Sequence, residues 1–227
     1  MTTRIPTTPG SSPDPTRPGA VNRVRSRQAG HPSGWLGRII GRVMVKDTAA
    51  ANDRAIALLH LTEPSTVLEI GFGQGRTVGA LVAAGHRVLG ADASATMVAQ
   101  ATARNRRACV DGRAQLVHSD GTTVAFPDGS ADAALTVHTV YFMADASATI
   151  AEVARVLRPG GRFVVACRVG DDPMPAWMDG VVYRIPTIAR IRSLLEGAGF
   201  TEIAHHPGSA ATHDTHWFSG DLERRSA

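Results

Sequence analysis

V-L-E-I-G-F-G-Q-G, residues 67–75, joins a short apolar run to three glycines at alternate positions, with one carboxylate inside the run. Val67, Leu68 and Ile70 have the length and β-branched content of a buried strand, and the glycines end it abruptly. Gly71, Gly73 and Gly75 allow positive φ and let a ligand approach the backbone without a Cβ in the way. Residues 77–84 can form a helix, so the turn is predicted to present free backbone N–H groups beside the strand's carboxyl end. Strand, glycine turn and helix in that order make a nucleotide-binding corner.

Two features oppose a dinucleotide there. The G-x-G-x-x-G pattern fails in both registers, because its last position falls on Arg76 from Gly71 and on Val78 from Gly73. Glu69 also stands just before the first glycine, where it would repel a pyrophosphate. A cationic ligand, an ammonium or a sulfonium, suits it better.

Working outward, 227 residues suffice for one α/β domain and a tail. Apolar content of 43% is ordinary for a globular protein, and no run approaches the ~20 apolar residues of a membrane span. The amino terminus lacks the apolar segment of a signal peptide. Cys109 and Cys167 have no metal-like spacing and read as reduced thiols of a cytoplasmic protein. Residues 1–47 hold eight basic side chains against two acidic ones, a net +6 in a chain whose formal total is +4, so the remainder is about −2. Such a leader could touch nucleic acid or an acidic surface, but its Pro, Ser, Thr and Gly content reads first as solvated and disordered. A nucleic-acid partner is not expected.

The domain reading is a disordered basic leader over 1–30, a globular domain over 31–220 with amino-terminal helices at 31–62, and a tail at 221–227. An apolar i, i+3/i+4 face over 35–44 predicts a first helix and 52–61 a second, with Pro64 before the first strand. Residues 87–92, R-V-L-G-A-D, give a second strand that ends on Asp92, about 20 residues past the glycines, where a carboxylate binding ribose hydroxyls is expected. Asp92 could instead cap the next helix, at 96–106, although Ser94 is better placed to do so. Residues 115–120, Q-L-V-H-S-D, give a third strand ending on Asp120, which either turns the chain or accepts a hydrogen bond from an adenine amine. The N–H of Gly121 could then meet a ring nitrogen. Further strands are expected at 132–140 and 162–167. Between them lie a helix at 145–157 and a tight turn at 157–161. A last helix from Pro186 to Gly199 precedes short strands at 200–205 and 216–219. Alternating strands and helices predict a parallel sheet with right-handed crossovers.

E-x-G-x-G-x-G at 69–75, followed by G-A-D, H-S-D-G, F-P-D-G-S-A-D and R-V-L-R-P-G-G-R-F, resembles the class I S-adenosylmethionine-dependent methyltransferases in order and spacing. H-P-S-G-W-L-G-R-I-I-G-R-V-M at 31–44 is similar to the amino-terminal region of such enzymes. The resemblance implies a Rossmann-like, seven-stranded, mostly parallel sheet of order 3-2-1-4-5-7-6, with helices on both faces and an amino-terminal helical lid. It implies S-adenosyl-L-methionine as cofactor. Gly71, Gly73 and Gly75 would contact its methionine part, and Glu69 its ammonium. Asp92, flanked by Ala93, would take the ribose hydroxyls, Met97 would lie against adenine, and Asp120 with Gly121 would hold the adenine edge.

Methyl transfer is an in-line displacement, so the protein's work is alignment and exclusion of water. Where the acceptor needs a general base, His138 at the end of the fourth strand and Tyr141 are the candidate catalytic residues. Capping the strand or touching the cofactor is the alternative for His138. His205, His206, His213 and His216 cluster in sequence, yet they read as surface or acceptor-pocket groups and not as a metal site. After the fourth strand the chain reads H-T-V-Y-F-M, without the Asn/Asp-Pro-Pro-aromatic signature of enzymes acting on DNA bases, so a small-molecule methyl acceptor is expected. A non-catalytic module that binds the cofactor and an NAD(P)-linked oxidoreductase are the rival readings.

Overall fold

The computed structural model describes residues 48–173, 178, 183–209, 212 and 214–224. The leader and the helix expected at 35–44 lie outside the described residues. In chain order the elements are α1 (Ala49–Leu58), β1 (Thr66–Ile70), α2 (Arg76–Ala83), β2 (Arg87–Asp92), α3 (Ala95–Arg104), α4 (Arg106–Val110), β3 (Ala114–His118), β4 (Ala131–Val137), a 3₁₀ turn (Val140–Phe142), α5 (Ala146–Val156), β5 (Leu157–Cys167), α6 (Ile188–Gly197), β6 (Phe200–His206) and β7 (His216–Leu222).

Seven strands form one sheet in the order β3-β2-β1-β4-β5-β7-β6. Pairing is parallel from β3 through β5, and β7 runs antiparallel to both β5 and β6. Successive residues of the central strands point to opposite faces. Leu68, Ala134, Phe163, Val165 and Cys167 join one buried cluster with Ile150, Val153, Ile191 and Leu195 of α5 and α6. Val67, Ala133, Leu135, Val164 and Ala166 join the other, with Ala51 and Ala55 of α1 and Val78 and Leu81 of α2. Both faces of the sheet are covered, which explains why β1 and β5 read as continuous apolar runs and not as alternating ones. Trp217 of β7, 1% exposed, donates its indole N–H to the Ala51 carbonyl at 3.1 Å and so ties α1 to the antiparallel end of the sheet.

Helix starts follow side-chain caps. Ser94 accepts from the Met97 N–H, Asp145 from that of Ala148 and Thr187 from that of Arg190. The first of these settles the choice at β2 in favour of Ser94 as the cap, leaving Asp92 for other work.

Several boundaries differ from the sequence reading for identifiable reasons. The helix expected at 96–106 breaks at Asn105, whose side-chain amide donates to the Gly75 and Ala101 carbonyls, both at 2.9 Å. β3 stops at His118 and not at Asp120, because the Asp120 carboxylate accepts from the N–H and hydroxyl of Thr122 and turns the chain. β4 ends at Val137, giving way to the 3₁₀ turn. The turn expected at 157–161 lies inside β5 as a bulge: Ala131 pairs with Leu157 and Ala133 with Arg162, so four residues loop out against one. Gly160 at the bulge has φ +79°. β7 continues to Leu222, past the expected end at 219.

Candidate functional site

The carboxyl ends of β1, β2 and β4 meet at the glycine turn. Its three glycines are required for different reasons. A Cβ at Gly71 would lie 2.2 Å from the Thr139 hydroxyl, and one at Gly75 2.6 Å from the Asn105 amide and 2.8 Å from the Ala101 methyl. A Cβ at Gly73 would meet nothing within 4 Å, so here the backbone faces open space. All three have positive φ. Gly71→Ala therefore combines backbone strain with a clash and is expected to cost about 2–4 kcal/mol of stability, against about 1 kcal/mol for Gly73→Ala. Urea unfolding of the two variants checks this; equal losses would contradict it.

The turn corrects one expectation. The N–H groups of its three glycines are not free, because Gly71 donates to the Ala91 carbonyl at 2.7 Å, Gly75 to that of Phe72 at 2.9 Å and Gly73 to Asp92 Oδ2 at 2.8 Å. A pyrophosphate needs such donors. The glycines have already used theirs within the protein, and what the corner adds is a pair of buried carboxyl groups. Glu69, 3% exposed, has a buried Oε2 with no hydrogen-bond partner. Burial, and secondarily the negative charge of Asp92, push its carboxyl from an ordinary 4.5 up to about 8, against a hydrogen bond from Thr77. An orphaned, desolvated carboxyl beside a second carboxylate is arranged to receive a cation.

Asp92 is 8% exposed, and its two oxygens face fixed directions because Oδ2 accepts from Gly73 and Oδ1 from Ser94, both at 2.8 Å. It thereby holds the glycine turn to the start of α3. Ala93 is exposed beside it and its carbonyl meets His118 Nε2 at 3.0 Å, whereas Met97 is buried at 3%. Asp120 is exposed, and the Thr122 hydrogen bonds, its backbone N–H foremost, hold its carboxyl below the usual range. The Gly121 N–H, expected to face a ring nitrogen, donates to the Ser119 hydroxyl at 3.0 Å. A ligand atom there would have to displace that local bond.

His138 follows β4 with φ +55°, a conformation that costs a non-glycine residue about 1 kcal/mol or more. Its ring is held from two sides, by the Tyr141 hydroxyl 2.9 Å from Nδ1 and the Thr215 hydroxyl 3.3 Å from Nε2. Burial raises the Tyr141 phenol well above its usual pKa, so it keeps its proton. That hydroxyl accepts the Arg168 N–H, and when it donates its own proton to His138 Nδ1 the ring turns Nε2–H toward Thr215. In that tautomer His138 spends its one lone pair on Tyr141, and a base role would require that bond to break. Tyr141 is 2% exposed.

The sequence reading brought together Glu69, the glycines, Asp92 and His138. It missed Thr139 over Gly71, Asn105 under Gly75 and Thr215 against His138, contacts between residues too distant in sequence to leave a local signal. It also passed over Asp172, although R-V-G-D-D after β5 follows the same rule of an acid at a strand end that singled out Asp92.

A family described as a methyltransferase domain matches residues 68–165. The chain is similar to 27-O-demethylrifamycin SV methyltransferase of Amycolatopsis mediterranei, 30% identical over 147 residues, covering 63% of this chain and 53% of that protein. It is also similar to demethylmenaquinone methyltransferase of Clavibacter sepedonicus, 34% identical over 109 residues, covering 48% and 43% respectively. The chain thus spans about half the length of the curated relatives it matches. Among solved structures, the protein bound to the Trm112 methyltransferase activator of Haloferax volcanii shares the fold, with TM-score 0.70 at 23% identity over 88% of this chain and 98% of the other.

Proposed function

We propose that the chain, which matches a methyltransferase-domain family over residues 68–165, is a class I S-adenosylmethionine-dependent methyltransferase that transfers a methyl group from S-adenosyl-L-methionine to a small-molecule acceptor. The observation that carries this reading is the buried carboxyl of Glu69, with an unpartnered oxygen, under a turn whose three glycine N–H groups are already engaged. That corner fits a cationic amino-acid moiety better than a pyrophosphate, which weighs against the dinucleotide alternative.

In this reading Glu69 takes the cofactor's ammonium, Gly71, Gly73 and Gly75 line its methionine part, and Asp92 accepts from the ribose hydroxyls. Ala93 and Met97 flank the ring system, and Asp120 with Gly121 holds the adenine edge. When bound, S-adenosylmethionine supplies a methyl carbon made electrophilic by a positive sulfur. The chain's own task is to hold the acceptor atom in line with that carbon and keep water out. His138, fixed by Tyr141 and Thr215, stands beside that path.

The two relatives carry the names of an antibiotic and a quinone methyltransferase, which supports a small organic acceptor. Among the described residues no helix is long and apolar enough to cross a membrane. The free thiols Cys109 and Cys167 agree with a cytoplasmic location.

Calorimetry with S-adenosylmethionine, with NAD(P) as control, tests the cofactor, and release of S-adenosylhomocysteine in the presence of phenolic, quinone and amine compounds tests turnover. Micromolar binding of the sulfonium compound and none of the dinucleotide is expected. A folded protein that binds neither, or binds only NAD(P), would overturn the proposal.

A further inference from the structure

Beyond the carboxyl end of β5 a cavity of about 360 Å³ is lined by Arg168, Gly170, Asp172, Tyr183, Arg184 and Ile185. This is within the size range of small-ligand sites. It adjoins the His138 network, since the Arg168 N–H donates to the Tyr141 hydroxyl and the Tyr183 ring lies 5.8 Å from that of Tyr141. The cavity therefore adjoins Tyr141, whose hydroxyl meets the His138 ring.

Behind Asp172 in this wall stands a pair of histidines. His216, 8% exposed, has Nε2 2.9 Å from Asp172 Oδ2 and Nδ1 2.8 Å from His205 Nε2. The two imidazoles are stacked at an interplanar angle of 9°, and His205 is also stacked on Phe218 at 4.7 Å. Burial and the neighbouring His216 lower the pKa of His205, so its ring is neutral at pH 7. A carboxylate can only accept, so His216 donates from Nε2, while its Nδ1 either accepts the Nε2–H of His205 or, in the imidazolium, donates to His205 Nε2. His205 braces the far nitrogen of His216, and His216 fixes one oxygen of Asp172. Around the carboxylate, Arg168 and Arg184 share the cavity wall, Arg168 being paired with Asp214 at 3.1 Å. Adjacent Asp171 is occupied by the Ile188 N–H.

We infer that Asp172, oriented by His216 and His205, accepts the proton of a hydroxyl on the methyl acceptor, so that the acceptor is an O–H compound of the phenol or enol class. This rests on the methyltransferase reading above. As the acceptor oxygen bonds to the methyl carbon and the carbon–sulfur bond breaks, its electron pair returns to sulfur and the hydroxyl proton passes to Asp172. The products are the methyl ether, the neutral thioether and a protonated carboxyl that exchanges with water. Such a proton acceptor is worth roughly a hundredfold in rate. Asp172 is the catalytic group in this scheme, and His216 and His205 are positioning residues.

4-Nitrocatechol, whose visible absorbance reports ionisation of its hydroxyl, is the probe. It is titrated with base on the full chain saturated with S-adenosylhomocysteine, and methylation of unsubstituted catechol is followed with S-adenosylmethionine. The Asp172 carboxylate opposes a phenolate beside it, so the bound probe should ionise about one pH unit higher in wild type than in Asp172→Asn. With catechol itself, whose hydroxyl keeps its proton at pH 7, kcat in the same variant should fall about a hundredfold with KM changed little. His216→Gln sets an amide N–H where Nε2 stood and should keep the pH shift, whereas His216→Leu should lose it. Identical probe ionisation in wild type and Asp172→Asn, or no binding of the probe to the S-adenosylhomocysteine-loaded wild type, would overturn this inference alone. Failure of the wild type to bind S-adenosylhomocysteine would overturn the methyltransferase reading itself.

Discussion

Replacing Asp92 with alanine is expected to weaken S-adenosylmethionine binding about a hundredfold or more while leaving the sheet folded. Two effects add. The carboxylate would no longer accept from the ribose hydroxyls, and hydrogen bonds to a charged group are worth about 1.5–3 kcal/mol each. The glycine turn would also lose its anchor, because the Gly73 and Ser94 N–H groups both end on this one carboxylate. The second effect distinguishes Asp92→Asn from Asp92→Ala. An amide oxygen can still accept one of the two N–H groups, so the asparagine variant should fall between wild type and alanine. Calorimetry measures the affinities, and circular dichroism establishes that the variant is folded. Wild-type affinity in a folded Asp92→Ala protein would remove the ribose assignment.

The second large effect concerns protons. Glu69 holds its proton up to about pH 8 in the free protein, where an unfolded chain releases it near 4.5. The folded state therefore binds more protons between those values, and the contribution of Glu69 to stability declines as pH rises through that window. Glu69→Gln should remove the decline, so the variant gains on wild type in melting temperature at pH 8 and not at pH 4. A cation placed beside Glu69 reverses the preference and favours the carboxylate. Binding of S-adenosylmethionine at pH 7 should then expel close to one proton, and affinity should rise by up to about tenfold per pH unit until Glu69 is ionised. Calorimetry in buffers of different ionisation enthalpy counts the proton. Subtracting the Glu69→Gln result removes the titration of the ligand's own amine. Equal proton release by both proteins would show that Glu69 does not meet the cation.

The fold was legible because its signals are local and repeated. Short apolar runs ending on glycine or an acid mark the strand ends, and helices lie between them. The seven-strand order followed from the family resemblance and not from periodicity, which cannot reveal that β7 inserts between β5 and β6. Where the reading went astray, a side chain had competed with the backbone. Asp120 bent the chain before β3 could reach it, Asn105 stopped α3 early, and the bulge after Leu157 kept its pairing on both sides.

At the site, residues on the glycine turn and at the end of β2 could be read because they are near one another in sequence. The engagement of the turn's N–H groups could not, since one acceptor is the Ala91 carbonyl and another the Asp92 side chain, both on a different strand. Nor could the tautomer of His138, which depends on Tyr141, on the Arg168 backbone and on Thr215, 77 residues away.

The insertion of β7 beside β5 divides the site into two inheritances. The corner assigned to the methyl donor is made by residues up to Tyr141, inside the segment that matches the methyltransferase family. The wall assigned to the acceptor is made by Arg168, Asp172, Tyr183, His205, Thr215 and His216, all beyond its end at residue 165. A chain built this way can exchange one customer for another by rewriting the residues beyond 165, while the machinery that handles the common reagent stays as it was.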